Sequence, residues 1–254
     1  MLRPLMLQSH VDPEWAQSSR LFGTMQTDKW SPYTWAENAR LLASIQGDPQ
    51  RTDKTAQALL DELAKHTERT ASGLVIRYDY DYNFAGYILK APWYSAFGNA
   101  AAAVGLMQIQ KYAPQVNAGA MVADYLNPAI SIFANADDSG RLWFSEYVAK
   151  EAPDSRVDVV NGHFFVIASL YEWRVRTGSP AYDRAINAGL DTIESALPEM
   201  IQDGYFSYAR GFPQVKDYGQ ERAVNLALAA CRLRASICPV AQKYQALYRE
   251  WSSE

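Results

Sequence analysis

The 254-residue sequence is poor in the residues that build metal centres and disulfide frameworks. It contains two cysteines, Cys231 and Cys238, and three histidines scattered along the chain. A disulfide framework needs more cysteines, and zinc sites need Cys and His at close, regular spacings. We therefore expect no metal site, and we interpret both cysteines as small buried apolar side chains.

Net charge and long apolar runs are also limited. The formal net charge is −4, with Lys and Arg spread thinly, which disfavours a nucleic-acid partner. No stretch approaches the roughly 18 consecutive apolar residues of a membrane-spanning helix, so no membrane partner is expected. The first residues, Met1–Trp15, are too polar for a secretory signal. These features predict a cytoplasmic protein.

Aromatic residues, in contrast, are abundant. They make up 13% of the chain, with 16 Tyr and 7 Trp. Tyr and Trp combine an apolar ring with a polar tip, which suits both sugar-binding clefts and the lining of a large core. Composition alone leaves both roles open.

Apolar periodicity predicts helices almost throughout the chain. Three predicted helices are apolar nearly all round, as buried helices are, whereas the helices between them carry more charge. This alternation favours an inner and an outer ring. The predicted helices are Thr34–Gln46, Asp53–Arg69, Tyr94–Tyr112, Pro114–Asn135, Val159–Thr177, Pro180–Leu197, Gln220–Ser236 and Val240–Trp251.

Three long connections interrupt the helices: Thr70–Trp93, Ala136–Asp158 and Met200–Gly219. Loops of this length are usually functional or carry their own structure, and each holds a glycine followed by an aromatic, β-like run. The recurrence is an internal repeat of two helices and one long loop. We therefore expect an all-α fold, an (α/α) toroid of helical hairpins spanning residues 34–254, behind an N-terminal extension of residues 1–33. The three loops would meet at one end and bring together Tyr78, Tyr80, Tyr82, Glu146, Tyr147, Tyr208 and Arg210.

Several short motifs are recognisable in this frame. The segment Ala91–Phe97 (APWYSAF), the run Trp143–Tyr147 (WFSEY) and the helix start Val160–His163 (VNGH) resemble elements of the catalytic C-terminal domain of D-glucuronyl C5-epimerases. Leu197-Pro198, the run from Gly204 to Arg210, and Asp217-Tyr218 are similar to further elements of that family, in the same order. The resemblance covers about Leu59 to Trp251.

The resemblance implies a cofactor-independent epimerase that inverts C5 of a uronic acid residue. Tyrosines with an acidic neighbour would handle the protons. The catalytic residues implied are Tyr147, Tyr208, Tyr218 and Glu146, and the substrate-binding residues expected in the matched segments are Arg210, Trp93, Tyr94, Lys90, Tyr82, Asn161 and His163.

The chemistry sets its own requirements. Removing a proton next to a carboxylate adds negative charge, which a cation or hydrogen-bond donors must stabilise. Arg210 is the first candidate and Lys90 the second, although Arg210 could instead form a salt bridge with Asp203 or Asp217. If the run around Glu146 and Tyr147 is extended, the two side chains point to opposite faces, and one of them is structural. His163, on an apolar helix, is more typical of a hydrogen-bonded core residue than of a base.

Other functions remain open. The same carbanion with a leaving group at C4 gives β-elimination, as in a polysaccharide lyase. The fold could also serve as a non-catalytic sugar- or peptide-binding module. A smaller carbonyl substrate in place of a uronic-acid-containing saccharide, and a homodimeric assembly, are compatible with the sequence as well.

Overall fold

The computed structural model describes residues 29–84, 86–152, 155–202, 205–207, 209–211 and 220–251. Short 3-10 turns follow or link several of the α-helices. The α-helices are α1 (Pro32–Arg40), α2 (Pro49–Lys65), α3 (Ala96–Tyr112), α4 (Val122–Ser131), α5 (Val160–Thr177), α6 (Asp183–Ala196), α7 (Gln220–Leu233) and α8 (Cys238–Trp251).

Strands occupy most of the long connections. They are β1 (Thr67–Thr70), β2 (Gly73–Tyr78), β3 (Tyr82–Phe84), β4 (Tyr87–Leu89), β5 (Trp93–Tyr94), β6 (Ala134–Ala136), β7 (Leu142–Phe144), β8 (Tyr147–Ala149), β9 (Arg156–Val157), β10 (Ile201–Gln202) and β11 (Tyr205–Phe206). Five of them form an antiparallel sheet in the order β1-β2-β5-β8-β9. Hairpins β3-β4, β6-β7 and β10-β11 form three two-stranded sheets.

The expectation of an all-α toroid is therefore wrong: the chain folds into a mixed structure of helices and antiparallel strands. The aromatic runs after Gly73 and Gly140 form strands. Strand β5 pairs with β2 on one side and with β8 on the other, so the first two long connections share one sheet. Aromatic and β-branched side chains favour such pleated pairing, and the ladder satisfies backbone groups that a loop would leave to water.

Local signals place several helix starts. Asp48 caps α2 by accepting a hydrogen bond from the Arg51 N–H, and Ser95 caps α3 in the same way at Gly98. The single helix predicted over Pro114–Asn135 is wrong. That segment contains two 3-10 turns around Asn117, which has a left-handed backbone (φ 54°), and only then the ten-residue α4.

The core is centred on α3, whose alanine-rich surface is buried on nearly every side. Helix α1 packs so closely on α3 that a Cβ at Gly105 would lie 2.2 Å from the Trp35 ring. Helices α3 and α5 pack against each other, and both begin directly after strands of the five-stranded sheet. The N-termini of these two buried helices therefore lie next to the sheet.

Cys231 and Cys238 form a disulfide between the end of α7 and the start of α8. The interpretation of the two cysteines as small buried apolar side chains is wrong: both are half-buried and disulfide-bonded, because seven residues of separation bring them together across the turn between these helices. Disulfides persist mainly in oxidising compartments, so the bond counts against the cytoplasmic location, which stays a prediction. Within the described residues, no helix has the length and apolar character needed to cross a bilayer. The division at residues 33 and 34 also stays a prediction.

Candidate functional site

The register of the five-stranded sheet collects aromatic side chains on one of its faces. Tyr78 pairs with Trp93, and Trp93 with Ala149, so Tyr147, two residues before Ala149, projects from the same face. The rings of Tyr78 and Trp93 stack at 3.9 Å with an interplanar angle of 2°. The Tyr147 ring meets Trp93 edge-on at 5.5 Å. Strand pairing, which the sequence analysis did not include, is what makes these three rings neighbours.

The hairpin β3-β4 covers this face. The Tyr82 ring lies 5.6 Å from Trp93 and 5.4 Å from Tyr147, and Phe84 also lies 5.4 Å from Tyr147. Trp93 and Tyr147 are consequently only 1% and 3% exposed. We call the set of Tyr78, Tyr80, Tyr82, Phe84, Trp93 and Tyr147 the aromatic cluster. Tyr80 and Tyr82 are only half-buried and form its accessible edge.

Glu146 lies beside the aromatic cluster, at a bend between β7 and β8. Its backbone N–H donates to the Val157 carbonyl, and its side chain is almost fully buried. Burial raises the pKa of the Glu146 carboxyl to about 7, against a smaller opposing effect of a hydrogen bond from the Tyr147 hydroxyl. Glu146 lies in the bend and Tyr147 begins the strand, so the backbone is not extended across the pair. The two side chains therefore meet, although adjacent residues of an extended strand point to opposite faces.

A second feature of Glu146 is that one carboxyl oxygen, Oε2, is buried and has no hydrogen-bond partner among the described residues. The carboxyl packs on the first turn of α5, where a Cβ at Gly162 would lie 2.2 Å from Oε2. The neighbouring Asn161 also has a buried oxygen, Oδ1, that no group in the described part of the chain hydrogen-bonds. Unsatisfied buried acceptors are uncommon in folded proteins, and each calls for an explanation such as strain, a catalytic role or a bound water or ion.

His163, one residue beyond Gly162, is held by backbone groups on both sides. Its Nδ1 accepts from the Phe144 N–H at 3.0 Å, and its Nε2–H faces the Gly189 carbonyl at 3.1 Å. Burial lowers the pKa of His163 to about 4, so the ring is neutral at pH 7. With both ring nitrogens engaged, the geometry favours the core role over substrate binding.

Arg210 reaches the second long connection through an ion pair. Its Nε and Nη2 both donate to Asp158 Oδ2, at 3.0 and 2.6 Å, while Ser145 Oγ donates to Asp158 Oδ1 at 2.7 Å. The guanidinium also lies 6.0 Å from the Trp143 ring centroid. Asp158 is buried, whereas the Arg210 side chain is 39% exposed. The chain of contacts from Arg210 to Ser145 therefore ends next to Glu146.

Other predicted site residues lie elsewhere. Tyr94 projects from the opposite face of the sheet, hydrogen-bonded with Glu68 and Lys150. Lys90 is exposed and forms an ion pair with Asp81 at 2.6 Å. Tyr208 and Tyr218, like Asp203 and Asp217, lie outside the described residues, so their placement stays a prediction.

Sequence reasoning missed three residues of this region: Ser145, Asp158 and Gly162. Asp158 carried a weak signal, since an acidic residue directly before an apolar helix is typical of a helix start. Gly162 carried another, because a glycine inside a helical pattern often marks a close approach. Ser145 carried none that we can identify.

The aromatic cluster, the Glu146–Tyr147 pair and Arg210 all fall within one stretch of sequence similarity. The sequence model of the D-glucuronyl C5-epimerase C-terminus matches residues 71–220, more than half of the chain. The chain belongs to this family. The resemblance inferred from the motifs is thereby confirmed, and at the level of the family the chain is placed among epimerases, which are isomerases. No curated protein matches the sequence.

Proposed function

We propose that the protein is an epimerase that inverts C5 of a uronic acid residue in a saccharide. The observation that carries this proposal is the buried Glu146–Tyr147 pair. Burial brings the pKa of the Glu146 carboxyl to about 7, and the Tyr147 hydroxyl donates to it. An acid or base works best when its pKa lies near the working pH, and buried carboxyls are often tuned in this way.

The pair supplies what one face of the reaction needs. A tyrosine hydroxyl is a weak base, with an ordinary pKa near 10, unless its own proton can leave. A carboxylate at Glu146 accepts that proton while the Tyr147 oxygen takes the proton from C5. The electrons of the broken C5–H bond then remain on the substrate, delocalised into its carboxylate.

The opposite face needs a second acid to return a proton to C5. We assign this role to the third long connection, on Tyr208 or Tyr218, because the family resemblance points to tyrosines there. Arg210 is the cation on the same connection, and we propose that it binds the substrate carboxylate. Its pairing with Asp158 fixes the guanidinium while part of it stays exposed.

Hydrogen exchange with solvent tests the proposal. The protein is incubated in D2O with glucuronate- and iduronate-containing polysaccharides, and the products are analysed by NMR and mass spectrometry. Deuterium at C5 together with inversion, without chain cleavage, is expected. A new ultraviolet absorbance from an unsaturated uronate would instead indicate a lyase, and binding with neither change would indicate a binding module.

Replacing Tyr147 by Phe tests whether this residue acts as the general acid or base. The variant should lose turnover by about 10²–10⁴-fold, the usual share of a general acid or base. Tyr125→Phe is the matched control: this tyrosine is also buried and hydrogen-bonded, to Thr67, but it lies outside the aromatic cluster. Equal activity of the two variants would remove Tyr147 from the mechanism.

The role of Arg210 predicts that Arg210→Lys does not restore the activity lost in Arg210→Ala. A lysine makes a single point contact, whereas a guanidinium binds Asp158 and a second carboxylate through different N–H groups. The measurement is the rate of C5 exchange in both variants. Wild-type exchange in Arg210→Ala would show that the ion pair is only structural.

A further inference from the structure

Gly162 occupies an unusual position in the first turn of α5. A Cβ built there would lie 2.2 Å from Glu146 Oε2 and 3.0 Å from both the Cβ and the Cδ of Glu146. Non-bonded carbon and oxygen atoms do not approach to 2.2 Å, so a side chain at this position has to displace the carboxyl. Glycine is also a poor helix former compared with alanine, so the position keeps glycine against its local preference.

The carboxyl of Glu146 has little freedom to move aside. Its backbone N–H is bound to the Val157 carbonyl, and the Tyr147 hydroxyl donates to the carboxyl. The side chain is 4% exposed, so a new rotamer requires the surrounding packing to open, which admits water. Oε2 fills the space that a side chain at position 162 would take. Within the described segments of the chain it has no hydrogen-bond partner there.

We propose that Gly162 is a positioning residue for Glu146: its missing side chain forms the recess that holds the carboxyl out of water and within reach of the Tyr147 hydroxyl. The catalytic meaning of this contact rests on the proposed function. The contact itself does not, because the state of the carboxyl can be measured without substrate.

Among the residues that the structure describes, few other ionisable groups lie around the carboxyl. On the elements packed around it these are Tyr78 on β2, Tyr147 on β8, and Asp158 and His163 at the start of α5, with Arg210 paired to Asp158. Burial raises the pKa of Tyr78 well above its ordinary value and lowers that of His163 to about 4. Both groups are therefore neutral at pH 7, and a change in the titration of Glu146 between pH 5 and 8 reports its own surroundings.

The test is the titration of Glu146 in Gly162→Ala. Difference infrared spectra between the wild type and Glu146→Gln identify the protonated carboxyl band, and the band is followed with pH. In Gly162→Ala we expect the midpoint to fall by about one pH unit or more, towards the ordinary carboxyl value, because the displaced group becomes hydrated. An unchanged midpoint in folded Gly162→Ala overturns the proposal.

Gly105→Ala is the matched control. Its new Cβ would also lie 2.2 Å from a neighbour, the Trp35 ring, but in an apolar contact between α1 and α3. It should destabilise the protein as Gly162→Ala does, and it should leave the Glu146 band where it is in the wild type. A shift of the same size in both variants would mean that general loosening moves the titration, which also overturns the proposal.

A double variant covers the case in which Gly162→Ala fails to fold. Aspartate is one methylene shorter than glutamate, so Glu146→Asp withdraws the carboxyl from the recess. We expect Glu146→Asp to raise the unfolding midpoint of Gly162→Ala and not that of Gly105→Ala. If Glu146→Asp does not selectively raise the unfolding midpoint of Gly162→Ala, the contact between position 162 and Glu146 is not what destabilises that variant. If the infrared shift is found but no substrate exchanges its C5 hydrogen in D2O, the positioning role of Gly162 is supported and the proposed function is not.

Discussion

The two faces of the five-stranded sheet use polar side chains in opposite ways. On the outer face, Glu68 forms ion pairs with Lys150 at 2.8 Å and with Arg77 at 3.2 Å, and all three side chains are partly exposed. On the covered face, Glu146 is buried beside the aromatic cluster, and one of its carboxyl oxygens has no partner among the residues described. The pKa of Glu68 is lowered, chiefly by the hydrogen bond from Lys150, whereas burial raises that of Glu146.

The difference shows that ionised Glu68 interacts favourably with its surroundings, whereas the surroundings of Glu146 disfavour its ionised form. The Glu68 carboxylate is ionised at physiological pH, and the positive charges of Lys150 and Arg77 balance its negative charge. The Glu146 carboxyl either binds a proton or carries a buried negative charge, which is unfavourable. Residues that lower stability without an evident structural gain are typical of functional sites.

The largest effect is expected from removing the centre of the covered face. Trp93 is fully buried between stacked rings, so Trp93→Ala should destabilise the protein by about 3–5 kcal/mol. Urea unfolding measures this loss. Trp30→Ala is the control, because Trp30 is only half-buried and stacks on His66 at 4.1 Å. Equal losses would mean that the aromatic cluster contributes no more to stability than a peripheral ring.

A second, intermediate effect is a pH-dependent gain in stability from Glu146→Gln. The folded pKa of Glu146, about 7, lies above the ordinary glutamate value of 4.5, so the folded state binds the proton more tightly. The stability from this group is present below about pH 4.5 and is lost as the pH rises through 7. Relative to the wild type, Glu146→Gln should gain about 2 to 3 kcal/mol between pH 5 and pH 8.

Denaturant unfolding of both proteins at pH 5 and pH 8 measures this difference. Glu68→Gln serves as the comparison from the outer face. The lowered pKa of Glu68 means that its stabilising effect is present above its unfolded pKa and lost at lower pH, so its substitution should bring no gain at pH 8. A pH-independent effect of Glu146→Gln would contradict the raised pKa of the buried carboxyl.

The smallest effect is expected on the outer face. Lys150→Met removes an exposed partner of Glu68, and exposed ion pairs contribute little to stability. The unfolding midpoint should shift slightly at low salt and not at all in about 1 M salt, where the Debye length is about 3 Å. A large, salt-resistant loss would show that the outer network is as tightly packed as the covered face.

Much of the helical content could be predicted from the sequence, because capping residues and apolar periodicity act locally. The predicted helix Val159–Thr177 is observed as Val160–Thr177, bounded at its end by Gly178 with a left-handed backbone. The predicted convergence of Tyr78, Tyr80, Tyr82 and Tyr147 is observed as ring contacts. The sheet escaped prediction because its strands are two to six residues long and pair across distant segments. Short strands have weak local signals, and pairing depends on partners that periodicity does not identify.

The sequence by itself determined which residues form the buried helices, where several of those helices begin, and, through motifs in a common order, the family. Only the tertiary structure decided what the individual polar groups do. The carboxyl of Glu146 has a raised pKa because the bend before β8 and the side-chain-free turn at Gly162 bury it. The ring of His163 is neutral because burial in the core lowers its pKa. Burial and hydrogen bonding set those properties, and both depend on atoms contributed by segments far apart in the chain.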